Sequence, residues 1–354
     1  MASDATADVG ALAASLIEAA DAARYRNPLR ALDRAASARA FAASLDVDEV
    51  AASSRGGWLA LQSDAWAVYG SAARSAGDLE TAESALLVGL AFLDATPEHG
   101  RGRGGDRRRV RRARLAQRAG YVRMDQGRFQ EAFDLFDQAR DLYRTVGDPG
   151  REACVRVDVA LALQRSGRRR EAISELAAAL EALDRSDEPR SYLAAVHNLA
   201  RLLLEVADSA EEELEALRWL ELASREHRRT PEPLHLLRLR AIAALTAARL
   251  GRVAEAAAEL EALYVAFSDI GAAGDQVLTL LHLADLSLQP PGSTTRRAAE
   301  MAGRIFPLLR HLPVDVEAKA ALRRLLARIE EKGPAREALS QAVDLMERNL
   351  GSKA

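Results

Sequence analysis

The sequence has a single cysteine, Cys154, and few aromatic residues, which make up 5% of its 354 positions. One cysteine excludes an intramolecular disulfide and any zinc site built from several thiolates. β-Branched and aromatic residues are sparse and never alternate with polar residues over the length of a strand, so no β-sheet is expected. Hydrophobic residues nevertheless make up 49% of the chain, which is enough for a buried core and excludes a disordered chain.

Long apolar runs and an excess of one charge are also missing. No stretch of about 18 uninterrupted apolar residues occurs, so no membrane span is expected. The start MASDATADVG lacks the basic residues and apolar centre of a secretory signal. The net charge of −3 does not indicate a polyanionic partner for the molecule as a whole. Arginine far outnumbers lysine and alanine is abundant, a bias typical of a GC-rich bacterial genome. We therefore expect a soluble bacterial protein of the cytoplasm.

Three segments repeat one pattern. They are GRFQEAFDLFDQA (127–139), GRRREAISELAAA (167–179) and GRVAEAAAELEAL (251–263). Each has alanine at its sixth position, an apolar residue four positions later and a small or apolar residue three positions after that. A small residue also stands seven positions before each glycine. The full series of such small residues is Gly120, Ala160, Ala200, Ala244 and Ala284, at steps of 40, 40, 44 and 40 residues. This period predicts a repeated supersecondary unit.

The pattern of each unit indicates two helices joined by a glycine turn. Alanine and leucine favour helix, and a small residue lets the next helix approach closely. Glycine adopts a positive φ cheaply after a helix end. The turn glycines expected on this basis are Gly77, Gly127, Gly167 and Gly251. Asp148-Pro149 and Thr230-Pro231 predict helix starts, because a capping side chain precedes proline at the first helical position.

These units resemble the tetratricopeptide repeat, which has small, aromatic and turn residues at fixed positions. One unit fills these positions with Trp66, Gly70, Gly77, Ala82 and Gly89, and another with Gly120, Gly127, Ala132, Phe136 and Ala139. The period exceeds the usual one of about 34 residues because the second helices are longer, as in extended repeats of bacterial signalling and regulatory proteins. The resemblance covers roughly residues 50–310. It implies an all-α, right-handed superhelical solenoid of about eight antiparallel helix hairpins.

Three parts of the chain are expected. Residues 8–48 are predicted to form an N-terminal helical hairpin and residues 50–312 the tetratricopeptide-like array. Residues 313–350 are predicted to form a C-terminal hairpin, whose higher charge suits a cap that faces solvent.

Motifs for catalysis, metals and cofactors are missing from the sequence. It contains no P-loop, dinucleotide fingerprint, nucleophile elbow or HExxH motif. Its carboxylates lie mostly on solvated helical faces, and none suggests an acid–base pair. The six histidines are scattered, and most are expected to be structural or exposed. We expect no enzymatic activity, no cofactor and no metal.

The most unusual composition occurs in RGRGGDRRRVRRAR (101–114), with eight arginines in fourteen residues. The simplest interpretation is a flexible, solvated loop that leads into the next helix. The alternative is an anion-binding loop that contacts phosphates or an acidic protein. The residues that would bind are Arg101, Arg103, Arg107, Arg108, Arg109, Arg111 and Arg112. Aromatic residues that would stack on bases are missing there, so sequence-specific nucleic-acid recognition is not favoured.

The resemblance also implies a concave groove lined by inward positions of the first helix of each unit. By repeat register, its candidate residues are Arg114, Arg118, Tyr121, Asp158, Arg165, His197, Asn198, Arg201, Arg238 and His282. The carboxylate clamp of chaperone-binding relatives is not reproduced, because Val157, Leu161 and Ile242 stand at several of its positions.

Two functional hypotheses follow. The first is an interaction scaffold or regulatory adaptor that binds a protein or peptide, with acidic segments favoured because arginine pairs with carboxylates through two hydrogen bonds. Arg118, Arg201 and Arg238 would then form one electropositive stripe, unless aspartates neutralise it. The aspartates that could do so are Asp125, Asp158 and Asp285. The second is a nucleic-acid-associated or peptide-responsive regulator that uses the 101–114 segment. Neither the partner nor the oligomeric state follows from the sequence.

Overall fold

The computed structural model describes residues 2–23, 28–45, 55–96, 103–207, 209–229 and 233–288, with a few positions between 297 and 308. Within these ranges the chain forms helices and no strand, which confirms the all-α prediction. The helices are α1 (Ala2–Ala23), α2 (Pro28–Ser44), α3 (Arg55–Ser75), α4 (Leu79–Asp94), α5 (Arg103–Asp125), α6 (Phe129–Val146), α7 (Pro149–Arg165), α8 (Arg169–Ala182), α9 (Pro189–Val206), α10 (Ala210–Arg229), α11 (Pro233–Arg249), α12 (Val253–Asp269) and α13 (Ala273–Ser287). No helix in the described part of the chain is long and apolar enough to cross a membrane.

The chain divides into two compact units, residues 1–191 and 192–354. In unit 1 the helices pair in sequence order, α1 with α2, α3 with α4, α5 with α6 and α7 with α8. The first helices α3, α5 and α7 also contact one another in succession. In unit 2, α11 packs on α12, and α12 on α13. The sequence-based division into 8–48, 50–312 and 313–350 stays a prediction, and its last part lies outside the described residues.

Glycines in the left-handed region close the hairpin turns. The glycines predicted from the repeat, Gly77, Gly127, Gly167 and Gly251, have φ of 85°, 77°, 87° and 82°. After the first of these turns, the N–H of Asp78 donates to the carbonyl of Ala73 at 2.9 Å, the bond that closes a Schellman motif. Gly147 and Gly271 adopt the same conformation between successive hairpins, which the repeat pattern did not predict. The predicted turns are confirmed.

Capping side chains set several helix starts. Asp148 accepts a hydrogen bond from the N–H of Arg151 at 3.0 Å, and Pro149 is the first residue of α7, as predicted. Asp78 caps α4 in the same way through the N–H of Thr81. The predicted start at Thr230-Pro231 lies outside the described residues.

The repeated small residues lie in the core. Gly120, Ala160, Ala200, Ala244 and Ala284 are all buried, which confirms the register of the repeat. The matching second helix α6 buries Ala132, Phe136 and Ala139 completely, at i, i+4 and i+7. Burying a side chain as large as phenylalanine stabilises the fold by roughly 1.5–3 kcal/mol. The core of each hairpin therefore follows from the repeat pattern.

The interpretation of 101–114 as a loop was wrong for most of its length. α5 begins at Arg103 and continues to Asp125. Arginine is a good helix former, and carboxylates on α3, α4 and α5 itself pair with several of these arginines. Arg101 lies outside the described residues.

Candidate interaction surface

Polar side chains of α3, α5 and α7 meet on one side of unit 1, where these first helices contact one another. We call this surface the first-helix face. It is defined by Arg74 of α3, Arg118, Tyr121 and Asp125 of α5, and Asp158 and Arg165 of α7. Four of the groove candidates predicted from the sequence lie on it.

Asp125 joins three first helices. Its Oδ2 accepts a hydrogen bond from Nη1 of Arg74 at 2.7 Å, and its Oδ1 accepts one from Nη1 of Arg165 at 2.5 Å. The three side chains are 18–23% exposed, so water screens these pairs only partly. One carboxylate between two guanidinium groups gives the trio a net charge of +1, and Nε of Arg165 is buried without a hydrogen bond to any described residue. We call this trio the Asp125 clasp.

Asp158 is the centre of a second network. It is 8% exposed and accepts hydrogen bonds from Nε2 of Gln117 at 2.8 Å and from the hydroxyl of Tyr121. Oε1 of Gln117 in turn accepts a hydrogen bond from the Tyr143 hydroxyl at 2.7 Å. Burial raises the pKa of Tyr143 to about 12, so its hydroxyl keeps its proton at neutral pH. The guanidinium of Arg74 lies 5.0 Å from the centre of the Tyr121 ring and links this network to the clasp.

Arg118 contacts the two preceding first helices. Its Nη1 donates to the carbonyl of Ala67 and to Oγ of Ser71, both at 2.9 Å. Its Nη2 donates to Asp21 of α1 at 3.2 Å. This guanidinium is therefore held by α1 and α3.

Most arginines at the start of α5 pair with a carboxylate, although Arg108 and Arg112 share the single carboxylate of Asp94. The pairs are Arg108 and Arg112 with Asp94, Arg109 with Asp106, and Arg111 with Asp64. Arg107 and Arg114 are exposed and have no ion pair or hydrogen bond with the described residues. The positive charge of this segment is consequently much weaker than its composition indicates.

The candidate arginines of unit 2 also have carboxylate partners. Arg238 of α11 pairs with Asp275 of α13 through two hydrogen bonds, at 2.7 and 2.9 Å. Arg201 donates to Glu205, one turn further along α9, at 2.8 Å. His197 is buried, and Asn198 and His282 are half-buried.

The electropositive stripe expected from three arginines is not supported. Arg118, Arg201 and Arg238 each pair with a carboxylate, so the alternative of neutralised arginines applies. The carboxylates that pair with them include Asp21, Glu205 and Asp275. The sequence also gave no indication of Tyr143, because it lies on a second helix and the groove register covers first helices only.

The fold is that of a tetratricopeptide-repeat protein. Residues 111–184 match the family model of the tetratricopeptide repeat, a range that spans most of α5 to α8. No curated protein sequence matches the chain.

Solved structures resemble the chain over nearly its whole length. A Rap protein complexed with competence and sporulation factor has a TM-score of 0.62 and 13% identity, with 98% of this chain and 100% of that chain covered. The Rap conjugation gene regulator of the plasmid pLS20, in complex with the Phr* peptide, has a TM-score of 0.59 and 13% identity, with 97% and 96% covered. A signal transduction ATPase with a tetratricopeptide repeat sensor from Pyrococcus horikoshii has a TM-score of 0.55 and 10% identity, with 93% and 46% covered. At these identities the likeness concerns the fold.

Proposed function

We propose that this protein is a non-catalytic scaffold or regulatory adaptor that binds a peptide or a partner protein on its first helices. The observation that carries the proposal is the first-helix face of unit 1. There, charged and hydroxyl groups of the first helices α3, α5 and α7 are held together while they stay partly exposed. Two structural neighbours were solved with a bound factor or peptide, which supports the same general role here.

The proposed binding residues form one set in each unit. They are Arg114, Arg118, Tyr121, Asp158 and Arg165 in unit 1, and His197, Asn198, Arg201, Arg238 and His282 in unit 2. Hydrogen bonds already fix several of the unit 1 side chains, so binding would order few new rotamers. Arginine has five N–H donors, so Arg74 and Arg165 keep donors for a peptide carbonyl or carboxylate beyond the bonds to Asp125.

Nucleic-acid binding through the start of α5 is the weaker candidate. Four arginines in this segment are paired with carboxylates. Non-specific affinity for nucleic acid depends on the number of phosphates that free basic residues neutralise, and only Arg107 and Arg114 are unpaired there among the described residues. A peptide-responsive regulator is as consistent with the proposed function as a scaffold is.

A capture experiment tests the proposal. The immobilised protein is incubated with a lysate of its source organism, and bound proteins and peptides are quantified by mass spectrometry. We expect the double variant Arg74→Gln/Arg165→Gln to capture at least about tenfold less of the specific partner than the wild type does. A tenfold loss of affinity corresponds to about 1.4 kcal/mol.

The matched control is Arg128→Gln/Arg168→Gln. Both arginines pair with a glutamate three residues later, at the exposed starts of the second helices α6 and α8. The control should capture as much partner as the wild type. Undiminished capture by Arg74→Gln/Arg165→Gln, with an unchanged helical circular-dichroism signal, would contradict the proposal.

A further inference from the structure

A cleft of about 750 Å³ opens in unit 1 beside the starts of α5 and α7. One wall is a stripe of α5 at i, i+3, i+4 and i+7, formed by Arg107, Val110, Arg111 and Arg114. The second wall is the turn and first helical residues 146–151. The third consists of Asp187 and Glu188, which precede α9.

The α5 wall carries the unpaired positive charges. Arg107 and Arg114 are the arginines of residues 107–114 that lack an ion pair among the described residues, and both line the cleft. Arg111 between them is bound to Asp64 at 2.9 Å. Seven residues of helix separate the two free arginines by about 10 Å along the axis, so they form two distinct positive points on one wall.

The third wall is acidic. Asp187 and Glu188 have no ion pair within the part of the chain that the structure describes. Glu188 also acts on Cys154, since its negative charge and a side-chain hydrogen bond with the thiol add to the effect of burial in raising the pKa of that thiol to about 12. The other acidic residues that line the cleft already have partners within the protein. Asp148 caps α7, and Asp106 pairs with Arg109.

We propose that this cleft binds a short peptide segment that carries an acidic and a basic side chain together. The acidic group lies against Arg107 or Arg114, and the basic group lies against Asp187 or Glu188. The inference rests on the proposed function and names the chemistry of the segment that is bound. Opposite charges on two walls of one cleft fix the direction and register of a ligand more than its affinity.

The same charges select against a polyanion. A nucleic acid or a uniformly acidic peptide would gain two free arginines but would meet the carboxylates of Asp187 and Glu188. Like charges placed opposite each other cost binding energy. A segment with both signs of charge gains an opposite charge at both walls.

Fluorescence anisotropy with end-blocked, labelled octapeptides tests the inference. The probes are neutral Gln/Ala/Gly peptides that contain one Glu and one Lys at spacings of two to five residues. The reference peptides contain Glu at both positions, Lys at both or Gln at both. We expect at least one mixed-charge peptide to bind the wild type at least about fivefold more tightly than all references.

Two double variants and their combination provide the controls. Arg107→Glu/Arg114→Glu and Asp187→Lys/Glu188→Lys should each abolish the preference for mixed charge, and the quadruple variant should restore it with the peptide reversed. Unchanged circular dichroism checks that the variants fold. A wild type that shows no preference, or a preference that persists in both double variants, would overturn the inference.

A single-stranded oligonucleotide distinguishes the nucleic-acid alternative. Binding that weakens in Arg107→Glu/Arg114→Glu but strengthens in Asp187→Lys/Glu188→Lys, and that exceeds peptide binding in the wild type, would also overturn the inference. The proposed function fails separately. Partner capture that is lost in Arg74→Gln/Arg165→Gln but retained in Asp187→Lys/Glu188→Lys leaves the scaffold function standing and removes the acidic wall of the cleft from it.

Discussion

The ring of Phe136 in α6 packs directly against Gly120 in α5, so that a Cβ on the glycine would lie 2.6 Å from Cε1 of the ring. Phe136 is completely buried, so moving its ring aside would disturb the packing around it. Gly120→Ala should therefore overpack the α5–α6 contact, at about 1–3 kcal/mol, against a gain in helix propensity of about 1 kcal/mol. We expect a net loss of about 1 kcal/mol in the free energy of unfolding, measured as a lower urea midpoint.

Gly57→Ala is the matched control for this substitution. Gly57 lies in α3, and a Cβ there would meet no atom of the described residues within 4 Å. The urea midpoint of Gly57→Ala should equal that of the wild type or lie slightly above it. Equal stability of the two alanine variants would show that Phe136 does not limit the space at Gly120.

The Asp125 clasp should contribute to the stability of unit 1. Asp125→Asn removes the charge that two partly buried guanidinium groups share, and we expect a loss of about 1–2 kcal/mol in the free energy of unfolding. The control is Asp137→Asn, because Asp137 is 54% exposed and pairs with Arg140 on the surface of α6. Such exposed pairs contribute at most about 1 kcal/mol. Equal urea midpoints for the two variants would contradict a role of the clasp in stability.

The hairpins were predictable because the rules that form them are local. A small residue, a glycine seven positions later and an alanine five positions after that glycine are enough to place both helices and the turn between them, as Gly120, Gly127 and Ala132 show. The start of α5 was misjudged because its glycines suggest a loop. The aspartates that pair with its arginines, Asp64 and Asp94, lie on α3 and α4 and could not be assigned from sequence.

Glu83 should make stability depend on pH in acid. It accepts hydrogen bonds from Arg123 at 2.6 Å and Gln126 at 3.0 Å, which lower its pKa from 4.5 to about 2. Because the folded state favours the ionised carboxylate, this stabilisation is complete above pH 4.5 and is lost as the pH falls towards about 2. The midpoint difference between wild type and Glu83→Gln should therefore shrink between about pH 6 and about pH 3.

Glu80→Gln serves as the comparison on the same helix, since Glu80 is exposed and has no hydrogen bond with the described residues. Its midpoint difference from the wild type should be small at both pH values. A Glu83→Gln difference that stays constant with pH would argue against the stabilised carboxylate.

The single cysteine reports on the fold beside the cleft. Burial raises the pKa of Cys154 to about 12, and its thiol donates to Oγ of Ser191 at 3.1 Å. Thiolate is the reactive form, so the native protein should react with a disulfide reagent at about pH 8 at least about tenfold more slowly than the urea-unfolded chain. Similar rates in both states would show that the thiol is accessible and ionised in the folded protein.

The register placed side chains on the first-helix face but did not identify their partners. Arg118 was predicted to line the groove and lies on this face, yet one of its hydrogen bonds reaches Asp21, ninety-seven residues earlier in the chain. Arginine side chains are long and have many rotamers, so the carboxylate that each one selects depends on the packing of several helices. The sequence therefore predicted the position of Arg118 but not that Asp21 pairs with it.

The Asp125 clasp also has a mechanical consequence. Helices of unit 1 pack chiefly on their neighbours in sequence, so a force applied to the two ends of such a chain tends to detach one hairpin after another. Asp125 holds α3 and α7 at the same time, although a complete hairpin separates them along the chain. Under tension, both ion pairs must break before this part of unit 1 can unfold. We therefore expect it to extend elastically as one unit and then to unfold in a single step.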